Sequence, residues 1–97
     1  MRDALAEACR RFRVRRLDVF GSAATGRGFD PGRSDIDLLV AFEPMSASEY
    51  AGAYFGLLKV LEELAKRSVD LLTEAALENL YLRRRVETER RPLFRAA

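Results

Sequence analysis

The sequence predicts an α+β domain in which helices pack on one face of a small mixed β-sheet. Short strand-like runs alternate with longer segments whose apolar residues recur at helical spacing. The longest helical segment lies between two predicted strands, and a crossover of that length makes a parallel pairing possible for the last strand. No repeat, linker or low-complexity tract divides the 97 residues, so one domain over residues 1–97 is expected.

The N-terminal half supplies one helix and two strands. Residues 2–13 place apolar side chains on one helical face, and residues 17–20 have the alternation typical of a strand. The segment 21–34 opens with a Gly-Ser turn, allows one short helical turn and continues as a glycine-containing loop. Residues 35–42 form the most strand-like run of the chain, and Pro44 ends it.

The C-terminal half supplies the longest helix, a third strand and a charged helix. Residues 47–66 carry one apolar stripe at three- and four-residue spacing, and a serine before them can cap the helix. Residues 68–72 read as a strand rich in apolar side chains. Residues 80–90 read as a helix whose arginine and glutamate side chains lie four residues apart and can pair.

Composition narrows the chemistry that the chain can perform. The chain has 17 basic and 15 acidic residues, and this near balance counts against bulk attraction to nucleic acid. Histidine is absent, which removes the usual general base and the usual zinc ligand. The single Cys9 cannot form an intrachain disulfide, and no apolar run is long enough to span a membrane, so a cytoplasmic protein is expected.

Two aspartates at the start of the second strand are candidate metal ligands. Asp35 and Asp37 flank Ile36, and strand alternation directs both carboxylates to the same side. Like charges this close favour a bound cation, and Mg²⁺ prefers carboxylate and phosphate oxygens. The upstream Gly21-Ser22 turn can expose N–H groups and a hydroxyl to a phosphate. Alternatively, the aspartates belong to a solvated strand face and Gly-Ser is only a turn.

Asp70 is a third candidate, within the next predicted strand. Its side chain points to the face opposite Val69 and Leu71. If this strand neighbours the strand of Asp35 and Asp37, three carboxylates converge and can hold two metal ions. The alternative is an ion pair between Asp70 and a nearby arginine, and spacing alone leaves both interpretations open.

Taken together, these motifs resemble a known signature. The segments 20–22, 34–40 and 69–71 are similar to the motifs of the DNA polymerase β-like nucleotidyltransferase superfamily, in particular to its minimal, MntA-type branch. The resemblance covers roughly residues 15–90 and implies the polymerase β-like nucleotidyltransferase fold. It implies these roles: nucleotide binding by Gly21, Ser22 and Ser34, and catalysis and metal binding by Asp35, Asp37 and Asp70.

The resemblance also implies an activity and a partner. Members of this branch transfer a nucleoside monophosphate, here expected to be AMP from ATP, with two Mg²⁺ ions. Some act as antitoxins and modify a tyrosine of a HEPN-domain toxin. One departure is that Ala23 follows the Gly-Ser turn where many relatives have an arginine, so Arg27 or Arg33 could supply that phosphate contact.

Two alternative functions remain open at this stage, and so does self-association into a homo-oligomer. The domain could neutralise a HEPN protein by complex formation alone, as a non-catalytic nucleotide-binding module. It could also bind nucleic acid through its arginine clusters, although the near-neutral charge counts against this.

Overall fold

The computed structural model describes residues 2–26 and 35–96. Its helices and strands follow one another along the chain as α1 (Arg2–Arg11), β1 (Val14–Phe20), α2 (Ser22–Thr25), β2 (Ile36–Phe42), α3 (Ala47–Ala65), β3 (Val69–Thr73), a 3₁₀ helix (Glu74–Glu78), α4 (Leu80–Glu89) and β4 (Arg91–Arg95). The predicted α+β class is confirmed. None of the helices in the described ranges has the length and apolar content that a membrane crossing needs.

The four strands form one mixed sheet in the order β3-β2-β1-β4. Strand β1 pairs antiparallel with both β2 and β4, whereas β2 and β3 pair parallel. The parallel pairing agrees with the prediction, because α3 supplies the crossover that parallel strands require. Strand β4 was not predicted, since Pro92 and the flanking arginines are poor strand signals. Proline is tolerated there because β4 is an edge strand.

The long helix α3 is fixed at both ends and along its length. Ser46 and Glu49 form a capping box at its start, and Lys66 in the left-handed conformation ends it. The hydroxyl of Tyr54 donates a hydrogen bond of 2.6 Å to the carbonyl oxygen of Leu71 in β3. Helix α3 is therefore held against the parallel part of the sheet, which fixes the position of β3 beside β2.

The main hydrophobic core lies between the sheet and helices α1 and α3. Its fully enclosed members include Leu57 of α3 and Leu17 of β1, each with 0% of its surface exposed. Burying one such leucine contributes about 1.5–3 kcal/mol. The two helices approach closely at Gly56, where a Cβ atom would collide with the ring of Phe12.

A second, smaller core lies on the opposite face of the sheet. Phe20, Leu39 and Val86 are buried together, so α4 packs against β1 and β2 from this side. Leu38 and Val40 belong to the main core, as strand alternation requires. The structure thus adds α4 to the face that the predicted arrangement of helices left uncovered.

A buried ion pair fastens the C-terminal elements to β1. Asp18 is fully buried, and its Oδ2 accepts hydrogen bonds from Nε of Arg90, at 2.8 Å, and from Nη2 of the same side chain. Nη2 of Arg95 lies 2.6 Å from Asp18 Oδ1, as an ion pair whose geometry falls outside that of a hydrogen bond. One carboxylate of β1 therefore holds both the end of α4 and the end of β4.

We expect Arg90→Met to lower the free energy of unfolding by about 3 kcal/mol, because it leaves the buried charge of Asp18 with one poorly aligned partner. Urea denaturation at neutral pH measures the change. The matched control is Arg84→Met, an exposed position on the same helix that should leave stability nearly unchanged. Equal stability of the two variants would show that the ion pair does not hold the C-terminal elements.

Cys9 should be unreactive in the folded protein. Its side chain is fully buried, and this burial raises the pKa of the thiol from 9.0 to about 11 although Arg10 opposes the shift. Because the thiolate is the reacting form, a disulfide reagent at pH 8 should modify Cys9 only slowly until guanidinium unfolds the chain. Fast stoichiometric modification without denaturant would contradict the packing of α1 described above.

Candidate active site

The parallel pairing of β2 and β3 brings two of the predicted carboxylates side by side. Asp37 of β2 lies directly opposite Asp70 of β3 in the strand register. Because paired residues of neighbouring strands share a face, both side chains project from the same side of the sheet. It is the side of Leu39 and α4, away from the main core. The strand adjacency on which the interpretation of Asp70 depended is therefore present.

Asp35 lies immediately before β2 and is exposed, whereas the side chain of Asp37 is only 22% exposed. The pKa of the Asp37 carboxyl is raised, first by burial and then by the negative charges of Asp70, Asp35 and Glu89. The positive charge of Arg85 opposes this rise. The other two predicted aspartates, Asp35 and Asp70, therefore both act electrostatically on Asp37.

The Gly-Ser turn closes over Asp37. Phe20, the last residue of β1, pairs with Asp37 in the sheet, so Gly21 follows directly beside it. Gly21 has φ 72° and ψ −154°, a conformation that only glycine adopts readily. A Cβ atom at this position would lie 2.5 Å from Asp37 Oδ2. Glycine is therefore needed both for the turn and for the close approach of the backbone to the carboxylate. Ser22 then opens the four-residue helix α2.

Helix α4 contributes two residues that the sequence did not mark as part of the site. Nη2 of Arg85 lies 3.8 Å from Asp37 Oδ2, and Nε of Arg85 donates to Glu89 Oε1 at 3.1 Å. The same glutamate oxygen accepts the backbone N–H of Gly21 at 3.0 Å. The four-residue spacing of Arg85 and Glu89 did predict that they pair with each other. It could not predict that they border the site, because that depends on where α4 packs against the sheet.

Other predicted phosphate contacts cannot be placed. Ser34, predicted to bind nucleotide, lies outside the described residues, and so do Arg27 and Arg33 of the same loop. The described part of the site therefore consists of the end of β1, the turn, the start of β2, the start of β3 and one face of α4.

The donor chemistry of the site fits a divalent cation. Carboxylate oxygens, as in Asp35, Asp37 and Asp70, are ligands that Mg²⁺ prefers, and glycine at position 21 places no Cβ atom against the Asp37 oxygen. Within residues 2–26 and 35–96, no three such side chains are already gathered as a metal site. In proteins, Mg²⁺ usually combines one or two carboxylates with water and substrate phosphates.

Comparison with known proteins decides the family. Residues 1–93 match the sequence model of the nucleotidyltransferase domain. The chain belongs to the nucleotidyltransferase family. A relative from Methanocaldococcus jannaschii, provisionally named a protein adenylyltransferase, is 30% identical over 79 residues, which are 81% of this chain and 76% of the relative. Nucleotidyltransferase activity is thereby supported, and the resemblance seen in the sequence motifs is confirmed.

Solved structures agree on the fold. A structure provisionally described as a minimal nucleotidyltransferase has a TM-score of 0.73 and 36% identity, over 94% of this nucleotidyltransferase and 87% of the other chain. A toxin–antitoxin crystal structure with AMP-PNP has a TM-score of 0.68 over 98% of this chain and 73% of the other. At 21% identity, this second likeness establishes the fold alone.

We expect Gly21→Ala to disturb the site beyond its effect on the backbone. The added methyl group brings about 1–3 kcal/mol of conformational strain and also displaces the Asp37 carboxylate. Gly26→Ala is the control for a positive φ alone, because Gly26 has φ 75° and ψ −8° and, apart from its neighbours in the chain, no described residue lies within 4 Å of the position of its Cβ atom. Since this left-handed conformation strains alanine less than that of Gly21, the effect on Asp37 is measured as the loss of nucleotide transfer beyond the loss of stability. Both the stability measured by urea denaturation and the rate of nucleotide transfer should fall further in Gly21→Ala than in Gly26→Ala. Equal losses in the two variants would contradict the close approach of Gly21 to Asp37.

Proposed function

We propose that this nucleotidyltransferase uses ATP and Mg²⁺ to attach AMP to a hydroxyl group of a protein. The observation that carries the proposal is the pairing of Asp37 with Asp70 beside the Gly21 turn. Two carboxylates that can bind a cation thus lie next to a backbone turn that can bind a phosphate. The similarity to a provisionally named protein adenylyltransferase supports AMP as the transferred group and a protein as the acceptor.

The reaction is an in-line displacement at phosphorus. The acceptor oxygen forms a bond to the α-phosphorus of ATP, the bond to the bridging oxygen breaks, and pyrophosphate leaves. Asp70 would accept the proton of the acceptor hydroxyl, and Asp35 and Asp37 would hold the cation. Bound Mg²⁺ supplies charge neutralisation for the triphosphate and the leaving group. Gly21, Ser22 and Ser34 would orient the phosphates, so that catalysis rests on positioning and charge.

The proposed acceptor is a tyrosine of a HEPN-domain toxin, with this chain as the antitoxin. Toxin–antitoxin structures with a similar fold support a toxin as the partner, and one of them holds AMP-PNP. The HEPN domain and the tyrosine are proposed from the resemblance of the sequence motifs to the MntA-type branch. We propose a cytoplasmic location, where ATP and Mg²⁺ are abundant and where the buried Cys9 thiol stays reduced.

We expect Asp37→Asn and Asp70→Asn each to lower AMP transfer by about 100-fold or more, because the first removes a metal ligand and the second a proton acceptor. The assay incubates the chain with Mg²⁺, ATP labelled at the α-phosphate and a HEPN-domain protein as the candidate acceptor. Labelled acceptor is counted, and its mass should rise by one AMP.

Asp3→Asn is the matched control, since Asp3 is exposed on α1 and belongs to no part of the site. It should transfer AMP at the native rate. Native transfer by Asp37→Asn would contradict the assignment of the site. Toxin neutralisation that survives Asp37→Asn would favour inhibition by complex formation over enzymatic modification.

A further inference from the structure

Arg85 reaches from α4 into the mouth of the site. Its guanidinium Nη2 lies 3.8 Å from Asp37 Oδ2 and 2.8 Å from the point that a Cβ atom of Gly21 would occupy. Its Cζ atom lies 5.7 Å from the centre of the Phe20 ring. The guanidinium therefore borders three features at the same time: the end of β1, the Gly-Ser turn and the carboxylate of Asp37.

One side of this guanidinium is anchored. Nε of Arg85 donates to Glu89 Oε1 at 3.1 Å, and the Gly21 N–H donates to the same oxygen at 3.0 Å. Glu89 thus fixes the arginine relative to the turn. The terminal nitrogens extend beyond this anchor, and the Arg85 side chain is 51% exposed. A planar guanidinium held at Nε presents its terminal N–H groups in a fixed direction, which suits a phosphate.

The ion pair between Arg85 and Asp37 does not by itself explain why an arginine occupies this position. An ion pair at 3.8 Å in which the arginine is half-exposed contributes little to stability. Three acidic side chains, namely Asp35, Asp70 and Glu89, act electrostatically on Asp37, and among the described residues Arg85 is the cation that opposes them. A triphosphate entering such a site needs positive partners, and residues 21–26 contain no basic side chain.

We propose that Arg85 is a phosphate-binding residue of this enzyme. In the free protein its terminal nitrogens face Asp37. With a nucleotide bound, Arg85 would donate to the triphosphate and Asp37 would hold the cation, while Glu89 would keep the guanidinium beside the turn. This inference rests on the proposed function, because it assigns a further ligand to the same nucleotide.

The test compares Arg85→Gln with Arg83→Gln. Arg83 forms the equivalent pair with Glu87 on the same helix, at 3.2 Å, and therefore controls for the loss of a helix-surface ion pair. With Mg²⁺ present, Arg85→Gln should weaken AMP-PNP binding by about 10-fold or more, the loss expected for a charge-assisted hydrogen bond to phosphate. Arg83→Gln should bind AMP-PNP like the native protein.

Three further measurements separate phosphate binding from a structural role. Arg85→Gln should raise the KM for ATP more than it lowers kcat. Binding of adenosine, which lacks phosphates, should stay the same in both variants. Arg85→Lys should restore part of the AMP-PNP affinity, because it keeps the charge but loses the planar fork.

Each contrary result has a distinct meaning. If the native protein transfers AMP and Arg85→Gln binds AMP-PNP as well as Arg83→Gln, the role of Arg85 is refuted while the proposed function stands. If Arg85→Gln weakens adenosine and AMP-PNP binding equally, Arg85 only supports the fold, and the inference is again refuted. If the native protein binds no AMP-PNP with Mg²⁺, both the inference and the proposed function fail.

Discussion

The buried carboxylate of Asp18 sets the constraint on which the C-terminal part of the structure depends. A charge removed from water must be matched by partners that lie close to it, and here the partners come from the end of α4 and the end of β4. The pairing draws both elements onto β1. Once α4 is fixed in this way, Glu89 directly precedes Arg90, Arg85 lies about one and a half turns before it, and both border the Gly-Ser turn.

The sequence predicts most of this fold because most elements carry their own local signal. The apolar stripe of α3 predicts residues 47–66, and the structure has Ala47–Ala65. The strand β4 carries no such signal. Its proline and charged neighbours are acceptable only because β1 offers a free edge and Asp18 attracts Arg95, and both facts belong to the assembled sheet. Tertiary contacts determine the secondary structure of such a segment, so its local sequence does not predict a strand.

The candidate site also contains residues that the local sequence predicts and residues that only tertiary contacts bring together. Strand alternation predicts that Asp35 and Asp37 point to the same side, whereas Asp70 comes beside Asp37 only through a parallel pairing across the length of α3. The resemblance to a family anticipated this pairing, and spacing alone did not. The sequence predicted that Arg85 pairs with Glu89. Helical spacing alone does not distinguish a solvent-exposed helix face from a face that borders a site. The position of Arg85 follows from the second core around Phe20 and Val86.

The register between β2 and β3 also makes the candidate site conditional on correct folding. A slip of one residue would turn Asp70 toward α3 and place Val69 or Leu71 beside Asp37. A chain with this error would lose the carboxylate opposite Asp37 and bring an apolar side chain to the site. Under the proposed function such a misassembled copy would lack its proton acceptor, so the sheet that builds the site would also restrict the reaction to the correctly folded chain.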